Sequence, residues 1–274
     1  MKAYMRDVLG KAKQGNFAIP ATNFIDWNSA KAYVEMSEEL NLPLILAFAQ
    51  VHSPYLSLEE AASIGIYFQE KAKTPVVLHL DHGQDLAFIK KAIQLGFNSV
   101  MIDASLDSFE ENVRKTKEVV EVAHEFGVDV EAEIGFVGAN GNVLNDEIKS
   151  IYTNVEDAEK FVQKTNVDSL AVSIGTSHGL YKGIPKINFQ RLSDLRNVLT
   201  IPLVLHGGSG SGDDNLNRCA REGISKINIY SDFMDAGAKS VSEKSFTNYI
   251  DVLKTSREGM KTILKHYYHV FETK

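Results

Sequence analysis

Val76-Val77-Leu78-His79-Leu80-Asp81-His82-Gly83 is an apolar run that ends in an acid, an imidazole and a glycine. Its β-branched and leucine-rich start reads as a strand buried on both faces, and its end as the beginning of a loop that carries chemistry. Similar runs occur along the whole chain: Phe17 to Ala21, Leu44 to Phe48, Ser99 to Ile102, Val128 to Glu133, Ser169 to Ile174, Leu203 to Leu205 and Lys226 to Ile229. The stretches between them, Asn28 to Leu40, Leu58 to Lys73, Leu86 to Leu95, Phe109 to Phe126, Val155 to Lys164, Phe189 to Asn197 and Asp213 to Arg221, space their apolar residues as helices do. From Phe109, for example, Val113, Thr116, Val120 and Ala123 form one stripe while Glu110, Glu111, Lys115 and Lys117 face water. Several units close on a glycine before the next strand, as in Leu95-Gly96-Phe97 and Phe126-Gly127-Val128.

Eight βα units without a linker or a break in composition predict an α/β fold, a single (β/α)₈ TIM barrel over residues 1–274, with Thr255 to Phe271 as a closing helix. An open doubly wound sheet is the rival, but Ala18 to Trp27, after the first strand, contains no glycine to build a dinucleotide loop. The net charge of −7 argues against nucleic acid or an anionic membrane surface as partner and leaves small metabolites. The single cysteine, Cys219, cannot form an internal disulfide and is expected as a buried thiol, which fits a reducing compartment. Met1 to Gly10 mixes Lys2, Arg6 and Asp7 among its apolar residues, unlike a signal peptide, and Pro43 to Ala49 is too short to span a bilayer. A soluble cytoplasmic protein is expected.

Barrels of this kind place their chemistry at the C-terminal ends of the strands. Three histidines followed by glycine fall there: His82, His178 in Gly175-Thr176-Ser177-His178-Gly179, and His206 in Leu205-His206-Gly207-Gly208-Ser209-Gly210. Imidazoles converging over one barrel mouth suit a catalytic Zn²⁺, which takes three protein ligands and keeps one position open. His79 sits inside its strand and is expected as a core residue, and His52, His124, His266 and His269 show no metal spacing. The loops Gly207 to Gly210 and Asn228-Ile229-Tyr230-Ser231 are tight turns or a phosphate grip, the latter aided by the helix starting near Asp213. Lys182 is a solvated loop lysine or a cation for the same anion.

The segments Leu78 to Gly83, Gly175 to Gly183 and Leu205 to Gly210 strongly resemble the class II, zinc-dependent ketose-bisphosphate aldolases. Asn98 to Ser105, Val130 to Gly135 and Lys226 to Ile229 follow in that family's order, so the resemblance covers most of the chain, closest to the shorter branch with fructose- and tagatose-bisphosphate aldolases. The resemblance implies that His82, His178 and His206 bind zinc, that Asp81 is the proton donor, and that a phosphorylated sugar is cleaved to dihydroxyacetone phosphate and an aldehyde by a homodimer or homotetramer. It implies that Gly179, Gly207, Gly208, Ser209, Asn228, Ile229, Tyr230 and Ser231 grip the phosphate. Asp103 and Glu133 match positions that hold a second metal in some members, or serve as hydrogen-bond acceptors at strand ends.

Departures from the family pattern bear on the substrate. The loop after the fifth strand reads Val137-Gly138-Ala139-Asn140-Gly141-Asn142, without the usual glutamate, so Asp146 or Glu147 would have to supply a base. Ala49 and Gln50 stand where a serine is common, and Tyr230 where smaller residues are usual. These changes keep open a phosphosugar-binding barrel without turnover, and an epimerase or isomerase using the same enediolate.

Overall fold

Eight parallel strands close on themselves in sequence order in the computed structural model, which describes residues 1–135, 152–177 and 183–274. They are β1 (Ile19–Asn23), β2 (Leu44–Ala49), β3 (Val76–Gly83), β4 (Ser99–Ile102), β5 (Asp129–Ile134), β6 (Ser169–Val172), β7 (Leu203–Leu205) and β8 (Ile224–Ile229). Closure is made by β8 on β1, with Ile19 opposite Lys226 and Thr22 opposite Ile229. The helices are α1 (Met5–Gly15), α2 (Trp27–Leu40), α3 (Leu58–Lys71), α4 (Leu86–Leu95), α5 (Phe109–Glu125), α6 (Val155–Thr165), α7 (Phe189–Val198), α8 (Asp213–Glu222), α9 (Ser231–Ser242) and α10 (Tyr249–Val270). This is the (β/α)₈ barrel expected from the sequence, with α10 as its closing helix.

Helix starts are set locally. Asp26, Ser57, Asp85, Ser108, Asn154 and Asn188 each accept the N–H three residues on, satisfying a donor the helix itself cannot. Two helices were not anticipated. In α1 the first ten residues are too mixed in polarity to stand out, and α9 follows β8 with one residue between them. The first strand also runs two residues past its expected end at Ala21, because Thr22 and Asn23 continue to pair with Leu46 and Ala47.

Alternation along each strand divides the barrel into an oily outside and a graded inside. Leu44, Leu46 and Phe48, with Leu78, Leu80, Val100 and Leu170, join the core shared with the surrounding helices. The inward Ile19, Ala21, Ile45 and Val77 pack instead with Met5, Val8, Leu9 and Ala12 of α1, which closes the N-terminal end of the barrel. Further up, the interior becomes polar at His79, Glu131 and Lys226, all fully buried. A greasy floor under a charged interior directs the functional groups to the opposite, C-terminal end.

Leu78 is fully buried where α3 crosses at Gly65, so the helix leaves no spare room to collapse into a cavity. Leu78→Ala is expected to cost about 2–5 kcal/mol, read as a lower urea midpoint with an unchanged slope.

Candidate active site

Consecutive strand residues face opposite sides, yet Asp81 and His82 both line the same pocket. The end of β3 achieves this by a bulge: Leu80 pairs with Val100, but the next partners are Gly83 and Ile102, three residues against two. The extra residue is taken up with His82 in the left-handed region, φ 47°. Gly83 is demanded by the same turn, since a Cβ there would lie 2.5 Å from the Met101 carbonyl oxygen.

Asp81 is buried and held from two strands. Asn23 Nδ2 donates to one carboxylate oxygen at 2.9 Å and Asn228 Nδ2 to the other at 3.0 Å. Burial would raise its pKa, but His82, then Lys226 and His206, hold it well below the usual carboxylate value. Asp81 is therefore ionised at neutral pH.

Each of the two described histidines is fixed by a carboxylate. His82 Nδ1 donates to Asp103 Oδ2 at 2.8 Å; burial opposes its protonation, yet Asp81 and Asp103 raise its pKa to about 9. His206 Nε2 donates to Glu131 Oε1 at 2.9 Å, and Lys226 Nζ donates to both Glu131 oxygens at 2.9 and 2.8 Å. The rings of His82 and His206 stand 4.6 Å apart, and ligand atoms of Asp81, His82 and His206 lie within 4.8 Å of one another. Committing one nitrogen of each ring to a carboxylate presets the tautomer and leaves the other for a metal, so the donor set fits a zinc ion. Glu133 lies 3.3 Å from His206 Nδ1, and burial with the nearby Asp103 pushes its pKa up to about 8. His178, Gly179 and Lys182 lie outside the described residues, as do Val137 to Asn142, Asp146 and Glu147.

Gly207, Ser209, Asn228, Tyr230 and Ser231 line the pocket. Ser209 Oγ accepts the Tyr230 N–H at 3.1 Å, tying the loops after β7 and β8 together. Gly208 and Ile229 serve packing: a Cβ on Gly208 would meet Ile227 and Ile229 at 2.7 Å, and Ile229 is fully buried in the core. Gly207, at φ 68°, brings its backbone so close to the loop after β6 that a Cβ would lie 2.3 Å from the Ser177 carbonyl oxygen. The helix N-terminus at the pocket belongs to α9, which starts on Ser231, whereas α8 fills its first turn with Asp213 and Asp214. That relocates the dipole expected from the Asp213 helix.

His79 is buried as anticipated, but in a polar interior: its Nδ1 pairs with Ser99 Oγ at 2.8 Å, and burial, then Lys226, lowers its pKa to about 3. Cys219 is a buried thiol whose pKa burial pushes up to about 12. Gln50 braces the β3 loop, accepting the Gln84 N–H at 2.8 Å and donating to Asp85 at 3.2 Å. Asn23, Glu131, Lys226 and His52 were not singled out for a role. A charge in mid-strand, as at Glu131 and Lys226, was the available signal, because a buried charge requires a partner.

The fold and this mouth define a barrel with an ionised acid beside two histidines able to hold a metal ion. The chain belongs to the class-II fructose-bisphosphate aldolase family, whose pattern it matches over residues 3–274. A fructose-bisphosphate aldolase of Staphylococcus aureus (strain Mu50 / ATCC 700699) is 37% identical over 271 residues, 95% of this chain and 94% of the relative. Among solved structures, the YdjI aldolase from Escherichia coli K12 superposes with a TM-score of 0.91 at 32% identity, covering 99% of this chain and 97% of that one. The fructose-bisphosphate aldolase of Campylobacter jejuni, at 24% identity and a TM-score of 0.81 over 99% and 95% of the two chains, shares the fold. The protein is thus an aldolase, a carbon–carbon lyase, and its family implies a zinc cofactor and a phosphorylated sugar substrate. No described helix is long and apolar enough to cross a membrane.

Removing the cation from the barrel interior leaves Glu131 as a buried, uncompensated charge. Lys226→Met is expected to destabilise by about 3–5 kcal/mol, and adding Glu131→Gln should recover most of that loss in urea unfolding.

Proposed function

We propose that the chain, acting as one barrel over residues 1–274, reversibly cleaves a ketose phosphate to dihydroxyacetone phosphate and an aldehyde, with fructose- and tagatose-bisphosphate as the first substrates to try. The observation that carries this reading is Asp81, ionised and pinned between Asn23 and Asn228 beside His82 and His206. In cleavage, Asp81 takes the proton of the C4 hydroxyl, the C3–C4 bond breaks, C4 becomes the aldehyde carbon, and the bond's electron pair stays with the dihydroxyacetone phosphate half. In the reverse direction Asp81 returns the proton to the aldehyde oxygen.

His82, His206 and, from the resemblance, His178 would hold the zinc, through nitrogens not committed to Asp103 and Glu131. When bound, zinc supplies a Lewis acid that polarises the ketose carbonyl and disperses the enediolate charge. The substrate phosphate is placed against Gly207, Ser209 and Ser231 at the start of α9, with Gly179 and Lys182 as further partners carried by the resemblance. Reprotonation at C3 falls to Asp146 or Glu147, since Val137 to Asn142 carries no carboxylate. A second cation at Asp103 and Glu133 is not part of this reading, because Asp103 bonds His82 and Glu133 lies against His206. We place the protein in the cytoplasm as a homodimer or homotetramer; the half-exposed Trp27 and Tyr67, whose rings are tilted by 45° with centroids 4.8 Å apart, support an assembly surface.

A panel of ketose mono- and bisphosphates, incubated with and without chelator and assayed for triose phosphate, tests the proposal. Release that chelator abolishes and zinc restores is expected; release from none of the panel, with metal bound, would leave a phosphosugar-binding barrel. Proton exchange without triose phosphate would indicate an epimerase or isomerase. Asp81→Asn should keep its zinc and lose about 10²–10⁴-fold in kcat. His82→Ala should lose stoichiometric zinc on gel filtration, checked by elemental analysis.

A further inference from the structure

His52 ends the turn Gln50–His52 that follows β2, and the aldolase reading so far gives it no task. Its imidazole lines the pocket that contains Asp81, His82 and His206. The ring lies 4.5 Å from that of Tyr230, which follows β8, so the two side chains bridge the mouth above the end of β1, the strand between them. Phe48 meets the same imidazole edge-on at 6.5 Å. His52 is only 8% exposed, yet its Nδ1 is buried with no hydrogen-bond partner among the described residues. An imidazole held by packing alone, in a wall of a substrate pocket, is a donor and acceptor awaiting a polar group; half a turn of χ2 exchanges which edge it offers.

The surroundings indicate which part of the substrate this is. Gly207, Ser209 and the start of α9 occupy the side suited to the phosphate of the dihydroxyacetone half. Among the described residues the remaining wall is Asn23, Ala49, Val51, His52 and Tyr230, next to Asp81, which in the aldolase reading takes the C4 hydroxyl proton of the aldehyde half. Burial lowers the pKa of His52, so the ring is neutral.

We propose that His52, backed by Tyr230, is a specificity-determining residue that hydrogen-bonds a hydroxyl of the aldehyde half. The inference rests on the aldolase reading. In the synthetic direction dihydroxyacetone phosphate loses a C–H proton to solvent, its carbon bonds to the aldehyde carbon, and the aldehyde oxygen takes a proton that Asp81 has first drawn from solvent, leaving Asp81 ionised again. His52 takes no part in that transfer; it orients the acceptor by a hydroxyl next to the carbonyl.

Aldol addition by the zinc-loaded full chain, with dihydroxyacetone phosphate as donor, provides the test. The acceptors are glyceraldehyde and propionaldehyde, which has the same carbon chain without hydroxyls. The wild-type protein is expected to favour glyceraldehyde over propionaldehyde by about tenfold or more in kcat/KM, since a site built to bond a hydroxyl rejects the analogue lacking it. In His52→Phe, which keeps a ring against Tyr230, the preference for glyceraldehyde over propionaldehyde should fall to about twofold or less, while His52→Asn, which keeps a donor and an acceptor, should retain part of it. A glyceraldehyde-to-propionaldehyde ratio unchanged in His52→Phe, or no wild-type preference for glyceraldehyde over propionaldehyde, would overturn the proposal. Should His52→Phe fail to fold by circular dichroism, the ratio in His52→Asn and the wild-type preference decide the question. Deuterium exchange into dihydroxyacetone phosphate by the wild type separates the two levels: without exchange the aldolase reading itself fails, whereas exchange with an unmoved ratio removes only the role of His52.

Discussion

Lys226 and Glu131 face each other inside the barrel, fully buried, with the ammonium within 2.9 Å of both carboxylate oxygens. Neither charge could be tolerated there without the other, because the closed sheet and α1 beneath it exclude the water that would otherwise solvate them. The pair in turn fixes His206, whose Nε2 donates to the same carboxylate, and so decides which imidazole nitrogen is available at the mouth. The active site therefore rests on an ion pair below it, held in place by strands β5 and β8 from opposite parts of the chain.

At the top of β3 a different constraint operates. A regular strand would send Asp81 and His82 to opposite faces; the bulge and the left-handed His82 turn both toward one pocket. A non-glycine residue in that region costs of order 1–3 kcal/mol, offset here by the His82–Asp103 hydrogen bond and the packing of Gly83 against β4. Gln50 ties the β3 loop to the turn after β2 through the Gln84 N–H and Asp85, so the turn that carries His52 is coupled to the one that carries the acid and the histidine. Strain at a reacting centre and bracing around it are consistent with a site that must hold its geometry as charge moves through it.

The pocket has two chemical halves. One is made of small loops, a serine that bridges them and the start of α9, and is suited to an anion. The other is made, among the described residues, of side chains from β1, β2, the turn after β2 and the residue after β8. Asp81, His82 and His206 stand where the halves meet.

Most of the fold was legible in the amino-acid order, because alternating strand and helix patterns and glycine stops depend on neighbours a few residues apart. Seven inter-strand helices and the barrel class followed from that, as did the positions of His82 and His206, since a strand's end is visible as the point where its apolar run stops; the role of Asp81 came from the family resemblance. Helices α1 and α9 escaped, the first for its mixed polarity and the second because a single residue separates it from β8. The partners of the site escaped for a different reason. That Glu131 meets Lys226 and His206, that Asn23 and Asn228 clasp Asp81, and that His52 lies on Tyr230 depends on barrel closure, which brings residues as much as 178 positions apart, as His52 and Tyr230 are, to within a ring's width. Local pattern specifies the strands and where each one ends; the shear and closure of the sheet specify which ends meet, and the chemistry resides in those meetings.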